Sequence, residues 1–389
     1  MLFWDVDYSQ EKKTGQNVCG DVFHSKRFFE EGRLISVLSD GLGSGVKANI
    51  LASMTATMAL KFVSSHRSIS KASEVIMDAL PVCQVRKIGY ATFSIVDCNQ
   101  EGKVQIIEEG NPQFFLCRDQ DVLSVTGESF DSQKWKDRSI KIYSLTLNEG
   151  DRIVFCSDGV TQSGLGNKNK FKLGWKREGV AEFLKKYLSQ NPTASSRKLA
   201  QEVIKEAMLK EPELLAKDDM TCSVFHYRGR RSLLVFSGPP YNQERDNEYA
   251  REFDKFSGRK AICGGTTANM IARELRKTIQ LDLSTNRSYL PAYSRMKGVD
   301  LVTEGVLTLT QAIKYLEANL ITYPNDAAGK LVELFLDSDQ IEFMIGVRIN
   351  EAHLDPTIPV ELDFRKNLIK KMSTLLKEKY FKEVSVRYI

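Results

Sequence analysis

Aspartate set beside glycine or a second aspartate, at the rim of short apolar runs, is the feature that most restricts this chain. Leu34-Ile-Ser-Val-Leu38 breaks at Ser39-Asp40-Gly41, and Arg152-Ile-Val-Phe-Cys156 breaks at Ser157-Asp158-Gly159. Gly20-Asp21-Val22 and Asp218-Asp219-Met220 border further strand-like runs. Short apolar runs bounded by turn residues read as strands. A single Asp-Gly only marks a turn, but four such rims can bring several carboxylates together. Crowded carboxylates repel unless a cation lies between them. Mg²⁺ and Mn²⁺ are hard ions that prefer carboxylate and water oxygens. Asp is short enough to be held rigidly at a strand end, and a glycine after it lets a backbone carbonyl approach the metal as well.

The spacing of the remaining elements places these rims on a sandwich. Ala91-Thr-Phe-Ser-Ile-Val96, Lys103-Val-Gln-Ile-Ile107 and Phe114-Phe-Leu-Cys117 read as further strands. Two helical patterns interrupt them. One spans Gly45–Ser65, with Ile50, Met54, Met58 and Phe62 about one turn apart; the other spans Ser195–Lys210, with Leu199, Val203 and Ile204 on one face. Strand pairs surrounding a few helices fit a β-sandwich with helices on its outer faces. A basic joint, Arg228-Gly-Arg-Arg231, separates two strand-like runs and reads as a linker. Beyond it, strands at 232–237, 260–263 and 299–302 alternate with helices at 243–256, 267–275 and 310–320; a helix at 360–379 and a strand from Glu383 follow. The expected fold class is therefore α+β, with two domains, 1–228 and 232–389, the second α/β. A length of 389 residues accommodates both.

Composition narrows the class of partner. Hydrophobic residues make up 42% and charged residues 27%, as in a globular protein. A net charge of +5 spread along the chain gives no support for nucleic acid or a membrane surface as partner. No apolar run reaches the ~18 residues of a membrane span, and Met-Leu-Phe-Trp-Asp-Val-Asp lacks the basic and apolar segments of a signal peptide. A cytoplasmic location is expected. Seven cysteines without a CxxC pair read as small buried hydrophobes in a reducing compartment.

The ordered motifs Gly20-Asp21, Asp40-Gly-Leu-Gly-Ser-Gly45, Gly110-Asn-Pro112, Ser157-Asp-Gly159 and Asp218-Asp-Met-Thr221 resemble the PPM family of metal-dependent serine/threonine protein phosphatases, the bacterial sporulation-stage-II-E (SpoIIE) type most closely. The resemblance covers roughly residues 1–228. It implies an α-β-β-α four-layer sandwich with two Mn²⁺ or Mg²⁺ between the sheet edges. It implies that Asp21 bridges both metals, that Asp40 and the Gly41 carbonyl bind the second, that Asp158 and Asp218 bind the first, and that Asp219 supports them. No counterpart of the phosphate-binding arginine of eukaryotic relatives is found; Lys12, Lys13, Lys26 and Arg27 are the cations that could approach a phosphate. No histidine is placed as a general acid, and His24 reads as a surface residue. The stretch Gly164–Lys176 falls where relatives often carry a flap. The helix after Gly45 follows a metal-binding turn directly. The resemblance suggests it is a lever that switches the site; a plain core helix is the other reading.

Three functions fit: a phosphatase acting on a phosphorylated signalling protein such as an anti-sigma-factor antagonist, a catalytically inactive sensor or scaffold of the same fold, and a phosphatase for a small phosphorylated molecule. Retention of all four acids favours an active enzyme. Residues 232–389 resemble no family. Within them, Ile262-Cys-Gly264-Gly265-Thr266-Thr267-Ala268 ends a strand and opens a helix, where free N–H groups suit a small anion. Ser237-Gly-Pro-Pro240 and Val302-Thr-Glu-Gly305 are similar turns, and parallel strands would put all three on one edge. Ordinary capping explains each turn as well. The oligomeric state, a homodimer included, stays open.

Overall fold

The computed structural model describes residues 2–28, 30–65, 75, 91–131, 139–166, 171–282, 290–318, 320, 323–348 and 359–389. The chain forms two compact units, Met1–Gly229 and Arg230–Ile389.

The first unit contains β1 (Leu2–Glu11), β2 (Asp21–Phe28), β3 (Arg33–Gly41), α1 (Val46–Ser64), β4 (Ala91–Asn99), β5 (Lys103–Glu109), β6 (Phe115–Arg118), β7 (Asp121–Leu123), β8 (Glu128–Asp131), β9 (Ser139–Thr146), β10 (Arg152–Cys156), the short α2 (Asp158–Thr161), α3 (Lys176–Gln190), α4 (Ser196–Met208) and β11 (Met220–Gly229). The strands make two sheets, β2-β3-β4-β5-β9-β8 and β1-β11-β10-β6-β7. Helix α1 packs on the first through Ala52, Ala56, Ala59 and Val63. Helices α3 and α4 cover the second, burying Val180, Leu184 and Leu188 with Leu199, Val203 and Ile204. Between the sheets, Phe23, Phe225, Phe155, Phe114 and Tyr143 form a chain of ring contacts at 4.9–6.2 Å. This is a four-layer α-β-β-α sandwich, and the chain as a whole is of mixed α+β class.

Three details differ from the expected pattern. Two of the four large apolar residues spaced along α1 lie off its packing face: Ile50 and Met54 are 53% and 51% exposed, while Phe62 packs against the core. Ala48, Ala52, Ala56 and Ala59 are fully buried with Val63, and small side chains carry too little hydrophobicity to reveal this face in sequence. Helix α3 was not anticipated, because only three buried residues interrupt a polar, lysine-rich stretch. Arg228 is not a free linker residue. It pairs with Phe3 in the β1–β11 ladder and meets Asp5 at 3.2 Å.

The second unit contains β12 (Ser232–Ser237), α5 (Asp246–Lys255), β13 (Arg259–Cys263), α6 (Gly265–Leu275), β14 (Ile279–Leu281), β15 (Ser294–Met296), β16 (Val299–Thr303), α7 (Val306–Ala318), α8 (Ala327–Leu336), β17 (Gln340–Ile345), α9 (Pro359–Glu378) and β18 (Glu383–Tyr388). The sheet order is β14-β15-β16-β13-β12-β17-β18, with β16, β13, β12, β17 and β18 parallel. Helices α5 and α6 pack on one face and α7, α8 and α9 on the other. The strand order reverses between β12 and β17, the place where doubly wound sheets usually bind ligands. Here that crevice is closed by backbone. A Cβ on Gly346 would lie 2.1 Å from the Pro239 oxygen, and Arg348 donates its N–H to the same carbonyl at 3.3 Å.

Among the described residues no helix is long and apolar enough to cross a membrane. The described cysteines are all free, and all but Cys19 are buried; Cys83 lies outside the described residues, as do 167–170 of the flap-like stretch.

Candidate metal centre

Antiparallel pairing brings the acids to one end of the sandwich. Asp21 and Asp40 are directly opposed across β2 and β3. On the other sheet, Ser157 donates its N–H to the Thr221 carbonyl, and the Thr221 N–H donates to the Ser157 hydroxyl, both at 2.9 Å. That clamp joins the end of β10, where Asp158 opens α2, to the start of β11, which Asp218 and Asp219 precede. The two sheets are tied at the site itself, because the Thr221 hydroxyl donates to Asp21 Oδ2 at 2.7 Å. Gln10 donates to both the Asp21 carbonyl and the Thr221 hydroxyl.

Each acid has a defined setting. Asp40 shares a hydrogen bond with Asp158, and Gln162 donates to Asp158 Oδ2 at 2.9 Å. The Asp219 N–H donates to Asp218 Oδ1, while Asp219 Oδ1 accepts the Lys13 N–H, both at 3.0 Å. Gly41 is a steric necessity. A Cβ there would sit 2.1 Å from the Ala48 oxygen, so only glycine lets α1 rest against the end of β3.

The electrostatics are those of unneutralised acids. Burial pushes the Asp21 carboxyl up; hydrogen bonds from Thr221 and Ser157 pull it back, and Asp219 and Asp158 push it further up. Burial also raises Asp40, with Asp21 and Asp158 adding to it. Asp218 is raised by burial, and nearby Lys13 opposes that rise. No Lys or Arg forms an ion pair with Asp21, Asp40, Asp158 or Asp218 among the described residues. Asp21 Oδ1 and Asp219 Oδ2 are buried without a hydrogen-bond partner. Buried, partnerless carboxylate oxygens among like charges are the donor set of a hard cation. No three His, Cys, Asp or Glu side chains among the described residues already stand close enough to cage one ion. Mg²⁺-type ions fit such a spread arrangement, since they keep several waters and take one or two carboxylates each.

The four cations that sequence left open have different settings. Arg27 donates to the Trp4 carbonyl and lies over the Phe3 ring, and Lys26 lies over Phe28. Lys12 is exposed, and Lys13 is the cation felt by Asp218. His24 is exposed. Sequence reasoning missed Ser157, Thr221, Gln10 and Gln162. The first two belong to the Ser-Asp-Gly and Asp-Asp-Met-Thr motifs and were within reach; the glutamines carry no local signal. In the second unit, Gly264 caps α6, Gly265 and Thr266 are exposed, and Thr267 is buried.

The family described as stage II sporulation protein E (SpoIIE) matches residues 30–228, just over half of the chain. The chain belongs to this family of PPM-type phosphatases. The match begins beyond Asp21, so that residue lies outside it. Solved structures are similar at low identity. The PP2C phosphatase domain of SpoIIE from Bacillus subtilis, with a fragment of its regulatory domain, is 19% identical over 58% of this chain and 64% of that one, with a TM-score of 0.49. The chain thus spans less than two thirds of that structure. The RsbU and RsbW domains of a Mycobacterium tuberculosis protein are 19% identical over 64% of this chain and 68% of that one, with a TM-score of 0.48. RsbX in complex with magnesium is 20% identical over 58% of this chain and 95% of that one, with a TM-score of 0.41. No curated protein matches the chain.

Proposed function

We propose that residues 1–228 form a divalent-metal-dependent serine/threonine phosphatase acting on a phosphorylated signalling protein, with residues 232–389 as a separate regulatory or ligand-sensing domain. The observation that carries the reading is the convergence of Asp21, Asp40, Asp158 and Asp218 without an ion-pairing cation among the described residues. Asp21, Asp40 with the Gly41 carbonyl, Asp158 and Asp218 would hold two Mn²⁺ or Mg²⁺, and Asp219 supports Asp218 through its N–H. Such ions supply an activated water and positive charge beside the phosphoryl oxygens.

The protein's own residues position this chemistry. Thr221 and Ser157 fix Asp21 in one orientation by donating to its carboxylate. Gln162 fixes Asp158. Lys13, whose charge opposes the rise of Asp218, is the cation we assign to the phosphate. Neither Cys nor Ser is needed as a nucleophile, and the buried thiols of Cys156 and Cys222 are inert small hydrophobes.

The test is phosphate release from p-nitrophenyl phosphate and from a phosphoserine peptide, with and without Mn²⁺, in the natural protein and Asp21→Asn. Release should need the metal and be lost in the variant. Equal rates with and without metal would sink the reading, and metal-dependent release from the small ester alone would move the substrate from protein to small molecule.

A further inference from the structure

Three strand-to-helix turns lie on the carboxyl edge of the second unit's parallel sheet, and the structure treats them differently. The Ser237–Pro240 turn is sealed against Gly346. The turn after β16 already holds an anion of its own: Glu304 Oε2 accepts the N–H groups of Leu307 and Thr308 at 2.9 and 3.4 Å, in the first turn of α7. The turn after β13 has the same build without the anion. Gly264 takes the place of Gly305, and Ala268 bonds back to Gly264 as Leu309 bonds back to Gly305. The residue matching Glu304 is the buried Cys263, whose side chain ends the strand.

The open end of α6 is shaped rather than merely vacant of a cap. No side chain caps it. Gly264 has φ 137°, and its N–H is taken by the Thr303 carbonyl at 2.9 Å, which fixes the turn. A Cβ on Gly265 would meet nothing within 4 Å, so there is room over the first N–H groups. Thr267 is 1% exposed, and its hydroxyl has no hydrogen-bond partner. That hydroxyl points back at the helix end, 3.3 Å from the Cβ position of Gly264. Thr308 of α7 is likewise buried with an unpartnered hydroxyl, so the two turns share the threonine and differ in the carboxylate.

We propose that the N-terminus of α6 binds the phosphoryl group of a small molecule, through the N–H groups of Gly265, Thr266 and Thr267 and the Thr267 hydroxyl. Glu304 shows on the matching turn of α7 how an anion seats on the backbone N–H groups. Several converging N–H donors and a hydroxyl suit the oxygens of a phosphate, and the positive end of the helix dipole favours its charge. An inorganic phosphate and a phosphate ester present the same group. The inference does not depend on the phosphatase reading.

The test uses the full chain carrying Asp21→Asn, with metal removed by a chelator, so that the first unit does not capture the probe. Glycine amides labelled with ¹⁵N are followed while inorganic phosphate or adenosine monophosphate is added. The Gly265 resonance should move with either probe. Gly265→Glu gives the turn its own carboxylate and should weaken binding at least tenfold while α6 stays folded; Gly265→Ala keeps the N–H groups and should retain binding. Thr267→Val should weaken it by about fivefold, as expected for one hydrogen bond. Tighter binding of adenosine monophosphate identifies an ester as the source, and equal binding identifies the free anion. A Gly265 resonance that ignores both probes, or equal affinity in the natural sequence and Gly265→Glu, overturns the proposal.

Discussion

The two units put acidic side chains at the same kind of place, where a strand gives way to a turn or helix, and use them in opposite ways. In the second unit the acids are answered locally. Glu304 serves α7, and Asp326 accepts the Gly329 N–H at 2.8 Å and caps α8. In the first unit Asp21, Asp40, Asp158 and Asp218 face one another instead, and two buried oxygens of the cluster have no partner. Acids that cap helices stabilise the fold that holds them. Acids that converge cost stability until a cation joins them, which is how a binding site differs from a structural device of the same composition.

The sharpest way to break this comparison is Asp40→Asn. Phosphatase activity should fall by on the order of 10²- to 10³-fold, the rate equivalent of the several kcal/mol that metal ions contribute. The metal-free protein should nevertheless melt higher at pH 8, because burial and the neighbouring acids disfavour the Asp40 charge. Addition of Mn²⁺ should raise Tm in the natural protein and less so in the variant. Calorimetry with and without metal, beside a phosphate-release assay, measures all three. A lower metal-free Tm would mean that the Asp40 carboxylate is structural after all.

A second prediction concerns Glu108, a buried acid outside the metal cluster. Burial pushes its carboxyl up to about 7, against hydrogen bonds from Phe114 and Tyr143 and the pull of Arg177. The folded state therefore holds this proton more tightly than the unfolded state, whose carboxyl has the ordinary value of 4.5. Its contribution is full below pH 4.5 and is lost as pH rises toward 7, by roughly 3 kcal/mol in all. Glu108→Gln should flatten that part of the dependence, seen as a smaller Tm difference between pH 5 and pH 8. An unchanged difference would place the cost elsewhere.

Smaller effects complete the contrast. Asp326→Ala should lower stability by about 1 kcal/mol at neutral pH with no change in activity, as loss of a helix cap does; denaturant unfolding measures it, and a gain in stability would contradict the capping role. Ile50→Ser, on the exposed side of α1, should change stability by less than about 0.5 kcal/mol. Ala52→Leu, on the packed side, should cost about 1–3 kcal/mol, since the sheet leaves no room for the larger chain. Reversal of that order would mean that the large residues are the packing face.

Much of the fold was legible because its signals are local. The Asp-Gly rims, the alternation of strand and helix beyond residue 232 and the helices after Gly45 and Ser195 follow from turn chemistry and periodicity. Helix α8 and strand β17 are missing from the sequence reading, although the turn residues Asp337-Ser338-Asp339 separate an apolar run from a short strand-like one. At the centre, the motifs supplied the acids with Ser157 and Thr221 beside them, while Gln10 and Lys13 reach the cluster from the far end of β1 only by antiparallel pairing.

The sequence by itself determined the residue types that can carry the chemistry, since carboxylate identity, glycine freedom and strand length are properties of short segments. Tertiary structure decided how they combine. It opposed Asp21 to Asp40 through strand register and chose alanine over isoleucine as the buried stripe of α1. It also sealed one turn of the second unit, filled another with Glu304 and left α6 open. Those outcomes depend on distances between residues far apart in the chain, which packing sets and local sequence does not record.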